Sequence, residues 1–155
     1  MRLQIASWQI EHDPDATRSA YAPLPIGTGC PCDQCRNFDA AVGRAFPTEF
    51  MELAGSLGID PLKPAELCHW TKEPTGLYLT GGWFHFVGRI VSGADAMQYP
   101  DGTGEVRYQS FAPGIELAIT HHTSMVPDTF TGLAVCQLDF ETRVPWVLSD
   151  VEPPS

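Results

Sequence analysis

The stretch Leu77-Tyr78-Leu79-Thr80-Gly81-Gly82-Trp83-Phe84-His85-Phe86-Val87-Gly88-Arg89-Ile90-Val91 decides the fold. Its residues alternate with a period of two, the signature of a half-buried strand. Phe84, Phe86 and Ile90 share one face, and Trp83, His85, Val87 and Arg89 share the other. The pattern fits a hairpin or one bent strand. Its internal glycines point to a bulge or a close backbone approach.

Further strands follow on both sides. Residues 65–71, 105–111, 114–121 and 133–140 keep the same period. Ile115, Leu117 and Ile119 form the core face of one, and Ala134, Cys136, Leu138 and Phe140 that of another. Residues 3–10 read as an N-terminal strand. Turns are expected at Pro100-Asp101-Gly102 and near Val126-Pro127-Asp128. Residues 144–148 are a short apolar close, and Glu152-Pro153-Pro154-Ser155 a frayed tail.

Before residue 65 the period is helical. Cys35, Phe38, Ala41, Val42 and Ala45 fall on one stripe, with Asp33 as the expected N-cap and Pro47 as the stop. Phe50, Leu53, Ala54 and Leu57 form a second stripe, which Thr48 can cap and Gly58 can end in a left-handed turn. Residues 11–29 carry no period and read as a long Pro- and Gly-rich connection. The expectation is an α+β fold: an antiparallel β-sandwich or partly rolled barrel, with a helical hairpin in the N-terminal half. Residues 1–150 make a single domain, and residues 151–155 a flexible tail.

Composition narrows the function classes. At 155 residues the chain can bury a core of its own, and 43% of it is hydrophobic. It has no apolar run of about 18 residues, and its first residues do not form a signal-peptide core. The expected compartment is the cytoplasm, with no membrane partner. There the five cysteines are reduced, and their odd number argues against a disulfide framework. The net charge is -10, with no basic run to replace counterions around phosphates, so nucleic acid is not expected as a partner.

The most concentrated chemistry lies in Cys30-Pro31-Cys32-Asp33-Gln34-Cys35. A loop folding back at a helix start can bring three sulfurs to one point, and the helix N-terminus favours their thiolates. Zinc takes four such ligands in structural sites. The fourth is open. Cys68 and His69 are adjacent, so on a strand they face opposite ways and only one can serve; the expected metal set is Cys30, Cys32, Cys35 and Cys68. Cys136 reads as a buried apolar thiol. Cys32 and Cys35 also form a C-x-x-C pair, but a redox motif of that kind expects a strand before the helix, and a Pro- and Gly-rich loop precedes this one.

Trp83, His85 and Arg89 are the second candidate site, a groove on the polar side of the long strand. His121 and His122 are adjacent, which makes them a poor chelating pair. Asp139 and Glu141 share a face near a strand end and read as exposed acids. Neither a G-x-S-x-G elbow nor a Gly-rich phosphate loop is present.

Four blocks carry a resemblance: Cys30-x-Cys32-x-x-Cys35-Arg36-Asn37-Phe38, Leu57-Gly58-Ile59-Asp60-x-x-Lys63-Pro64-Ala65-Glu66, Phe84-His85-Phe86-x-Gly88, and Pro145-Trp146-Val147-Leu148. In their order the chain resembles a family of small uncharacterised proteins of bacteria and their phages. The resemblance implies a recurring small domain and transfers no catalytic residue, cofactor or partner. The sequence therefore supports a domain that binds a protein or a small molecule through a sheet face or edge, with a Cys cluster suited to structural zinc. The alternative is a metal- or thiol-dependent enzyme that combines the cluster with Cys68 or His69.

Overall fold

The computed structural model describes residues 1–98 and 104–155. In chain order the elements are β1 (Arg2–Ile5), β2 (Trp8–His12), α1 (Pro14–Tyr21), α2 (Asp33–Ala45), α3 (Thr48–Leu57), β3 (Glu66–Lys72), β4 (Tyr78–Ser92), β5 (Met97–Gln98), β6 (Glu105–Val106), β7 (Gln109–Ala112), β8 (Ile115–Thr120) and β9 (Val135–Val144). The expected turn at Pro100-Asp101-Gly102 lies outside the described residues. No helix among the described residues is long and apolar enough to cross a membrane.

The α+β class holds, and the antiparallel sheet stays open. Its strand order is β1-β2-β4-β9-β8-β7, with β3 also paired to β4. The stretch around Trp83 is one 15-residue strand, β4, at the centre. β9 pairs with β4 from Tyr78 to Val87. Along the other edge of β4, β3 covers Tyr78 to Trp83 and β2 covers Gly88 to Ser92.

Helix α1 fills the gap between those two partners. The Tyr21 hydroxyl accepts from the His85 amide at 2.9 Å and donates to the His85 carbonyl at 3.0 Å. The Thr17 hydroxyl accepts from the Val87 amide at 2.9 Å, and the Asp13 amide donates to the Val87 carbonyl at 3.0 Å. Two side chains and one backbone amide thus satisfy strand groups that no neighbouring strand reaches. This helix replaces part of the connection expected over residues 11–29. Asp13 is its N-cap, accepting from the Ala16 amide, and Pro14 opens it, where a missing N–H costs nothing.

Other boundaries also differ in detail. Residues 3–10 form two strands, because Ala6 turns at φ +48 and splits them. Cys32 rather than Asp33 caps α2, and Thr48 is the first residue of α3 rather than its cap. Gly58 does end α3 in the left-handed region, at φ +81. A Cβ there would stand 2.2 Å from the Pro14 carbonyl oxygen, so glycine lets α3 end against the start of α1.

The core lies between α2, α3 and one face of the sheet. Phe38, Phe46 and Phe50 from the helical pair meet Phe84 of β4 and Phe140 of β9. The Phe46 and Phe50 rings stack with centroids 4.4 Å apart. Cys136 is buried in this core, as expected. The buried Asn37 fastens α2 to the C-terminal segment: it donates to the Pro145 carbonyl at 3.0 Å and accepts from the Val147 amide at 2.7 Å and the Leu148 amide at 3.3 Å. Arg36 adds an ion pair to Asp150. The end of the chain is tied as well: the Tyr78 hydroxyl donates to the Pro154 carbonyl, and Trp146 Nε1 donates to the Val151 carbonyl.

Candidate functional site

Two features stand on opposite faces of the sheet at β3. The first is the cysteine cluster. The Sγ atoms of Cys30, Cys32 and Cys35 all lie within 4.8 Å of one another, close enough to hold one metal ion. The local sequence explains why. Cys32 has extended backbone (φ -67, ψ 158) and caps α2, its sulfur accepting from the Cys35 amide at 3.4 Å. Cys35 sits one turn into the helix on its buried face. Cys30 is turned back by the loop before it, where its amide donates to the Thr28 hydroxyl at 3.3 Å.

Burial raises the Cys32 thiol, but the Cys35 and Gln34 amides and the neighbouring thiols outweigh it, leaving Cys32 below the usual cysteine range. Burial and the other two thiols push Cys35 up to about 12. Three thiolates gathered at one point repel each other unless a cation lies among them.

His69 reaches the cluster from β3, and its Nε2 lies 3.4 Å from Cys35 Sγ. Two ligands of a tetrahedral zinc, one sulfur at about 2.3 Å and one nitrogen at about 2.0 Å, stand about 3.5 Å apart. Burial lowers the His69 pKa, against the raising influence of Glu66, and the neutral ring is the form that binds metal. Cys68, the expected fourth ligand, is not brought to the other three. It pairs across from Gly81 and points to the other face. Strand alternation made the two neighbours exclusive, and the helix-facing one is His69.

The second feature is a cleft of about 340 Å³ on the face away from the helices. Cys68, Gly81, Trp83, Gln137 and Asp139 come up from the sheet, and Trp70, Tyr108 and the segment His122 to Ser124 form the walls. A Cβ at Gly81 would stand 2.7 Å from Trp70 Nε1, so glycine lets the indole lie across the strand. Gln137 sets the rim: its Oε1 accepts from the Ser124 amide at 2.8 Å, and its Nε2 donates to Asp139 Oδ2 at 3.0 Å. Trp83 Nε1 donates to the Ser124 carbonyl at 3.0 Å.

Asp139, expected to be an exposed acid, is only 4% exposed. Burial pushes its carboxyl up to about 7, although the Gln137 bond opposes this. Burial, then the charges of Asp139 and Glu141, also raise Tyr108. Cys68 is raised by burial and by Glu66 and Asp139, so its thiol stays protonated near neutrality rather than becoming a nucleophile.

The expected groove of Trp83, His85 and Arg89 does not form. Trp83 lines the cleft. His85 is 1% exposed, with its ring 6.1 Å from that of Phe130. Its Nε2 has no hydrogen-bond partner among the described residues, and the residue forms the inner wall of a separate recess of about 190 Å³ beside Lys63 and Pro25. Arg89 is exposed and paired with Glu11. His121 accepts from the Ile90 amide at 3.2 Å and faces Asp95, while His122 borders the cleft.

Sequence reasoning missed Asp139, Tyr108 and Trp70. A usable signal was the Gly81-Gly82 pair in a central strand, where missing side chains leave room for a neighbour or a ligand. No protein-family model, no curated protein and no solved structure matches the chain.

Proposed function

We propose that this is a binding domain whose fold is held by one zinc ion, with Cys30, Cys32, Cys35 and His69 as the ligands. The observation that carries the reading is the contact of His69 Nε2 with Cys35 Sγ at 3.4 Å, beside two further sulfurs of the same cluster. Thiolates with one imidazole suit zinc better than magnesium or calcium, which prefer oxygen. Four protein ligands close the coordination sphere, which is the pattern of a structural site, and an enzyme would need an open position. The ion would join the start of α2 to β3, linking Cys35 to His69 across 34 positions of chain. Binding would then fall to the sheet face opposite the helices.

Metal content of untagged protein, purified under reducing conditions without chelator, tests this reading. About one zinc per chain is expected, lost from Cys32→Ser and His69→Ala and kept by Cys68→Ser. Wild-type protein that holds no zinc after reconstitution, or a His69→Ala variant that holds it as tightly as wild type, would contradict it.

A further inference from the structure

The cleft combines three properties. Its walls are aromatic, with Trp70, Trp83 and Tyr108 all contributing. Trp70 is 58% exposed, although it is a large apolar side chain; lying over Gly81, it offers indole surface to whatever enters. The only carboxylate lining the cleft is that of Asp139, and no Lys or Arg lines it among the described residues. Asp139 Oδ2 is bonded to Gln137, and no hydrogen bond to Oδ1 is seen among the described residues. A carboxylate that lines a cleft with one oxygen free of protein donors can accept a donor there, and a charged donor makes the stronger bond.

We propose that this cleft binds a small organic cation, a protonated amine carried on a flat apolar body. The amine would lie against Asp139 and the apolar body between the Trp70 and Trp83 rings. Rings that wall in a cation attract it through their negative faces, and a single acid among apolar walls fixes its orientation. The volume of about 340 Å³ admits a bicyclic amine. The rim is preformed, because Gln137 and Trp83 both hold Ser124 in place, so little ordering would oppose binding. The net charge of -10 steers cations towards the protein and anions away from it.

The inference rests on the binding role proposed above and names its ligand class, but it does not depend on the zinc. Its test uses three probes that share one ring system and differ in charge: tryptamine, its neutral alcohol analogue tryptophol, and indole-3-acetate. Each is titrated at pH 8 into zinc-replete protein, with shifts of the tryptophan indole N–H signals followed by nuclear magnetic resonance. Tryptamine should shift the Trp70 and Trp83 signals and saturate, with tryptophol at least tenfold weaker and indole-3-acetate not binding.

Asp139→Asn, an isosteric change, should weaken tryptamine at least tenfold and leave tryptophol unchanged. Trp70→Ala, at an exposed position that does not threaten folding, should weaken both. Cys68, Tyr108 and His122 share the cleft with Asp139, and Glu66 and Glu141 act on Cys68 and Tyr108; tryptamine affinity should fall between pH 8 and pH 6 in wild type, as the Asp139 carboxyl takes up its proton, and much less in Asp139→Asn. Tryptophol binding as well as tryptamine would overturn the charge assignment while leaving a binding cleft. If no probe shifts Trp70 or Trp83, both the ligand class and the cleft as a binding site are overturned. Neither result bears on metal content.

Discussion

Cys68 and His69 are neighbours in one strand and serve opposite sides of one sheet. On the helix side, His69 touches Cys35, one of three cysteines gathered by a loop and a helix cap into a cluster close enough to hold a metal ion. On the other side, Cys68 sits in a cleft with aromatic walls and one buried acid. With the proposed ion in place the first arrangement would close on itself: four ligands around one ion would leave nothing to offer a substrate. The second stays open, with an exposed indole and a carboxylate oxygen unbonded among the described residues. Groups that stabilise a fold satisfy each other, whereas groups that recognise a ligand stay partly unsatisfied at a cost to stability. The proposed division of labour between the two faces rests on that difference.

Breaking the closed side should have the largest effect. With zinc a thousandfold above its dissociation constant, binding adds about 4 kcal/mol to stability, which for a chain of this size is about 8–16 °C in melting temperature. Calorimetry with and without a strong chelator should show a drop of that order, and Cys35→Ser should reproduce it without chelator. An unchanged melting curve would remove the metal from the account of stability.

Asn37→Ala comes next. It deletes three hydrogen bonds to the segment Pro145 to Leu148 and leaves buried backbone groups unpaired, at a cost of about 2–3 kcal/mol. Urea denaturation checks the magnitude, and a loss below about 0.5 kcal/mol would show that water replaces the side chain.

The open side should show the opposite sign. The Asp139 carboxyl titrates at about 7 in the folded protein, against an ordinary value of 3.8. The folded state therefore holds its proton more tightly than the unfolded chain, and the associated stability is fully present below pH 4 and lost as the pH rises through 7. Between pH 5 and pH 8, wild type should lose about 1–3 kcal/mol more than Asp139→Asn. Urea curves at the two pH values measure the difference, and parallel losses would place the Asp139 carboxyl in water. The smallest effect is expected for Cys68→Ser, which should keep the zinc and change stability by less than about 1 kcal/mol. Loss of zinc in that variant would reverse the assignment of the two neighbours.

Much of the closed side was legible in the sequence. The helical stripes of Cys35 to Ala45 and Phe50 to Leu57 are strong because helical spacing recurs over three turns, and Gly58 marks its stop by chemistry that few other residues share. The C-x-C-x-x-C spacing named the three cysteines that the fold gathers, and strand alternation limited a candidate fourth ligand to one of two neighbours. Cys68 was the one expected, but His69 is the one that lies against the cluster, because the choice depends on the face α2 covers, and that is a long-range fact.

Helix α1 was not legible for a similar reason. It is eight residues long, and much of its support comes from Thr17 and Tyr21 reaching the edge of β4. The split of the first strand turns on Ala6, an alanine at φ +48 that carries no turn signal. Asp139 looked exposed because it alternates with core residues in β9. Its burial comes from Tyr108 and its neighbours folding over that face, and the local period contains no trace of that cover.

X-ray absorption at the zinc edge of the purified protein tests the central claim most directly, because it counts the sulfurs and nitrogens around the ion. The account predicts three sulfurs at about 2.3 Å and one nitrogen at about 2.0 Å, with the nitrogen lost in His69→Ala. Four sulfurs, or a shell completed by water oxygen with His69 intact, would contradict the closed site and bring Cys68 or an open coordination position back into consideration.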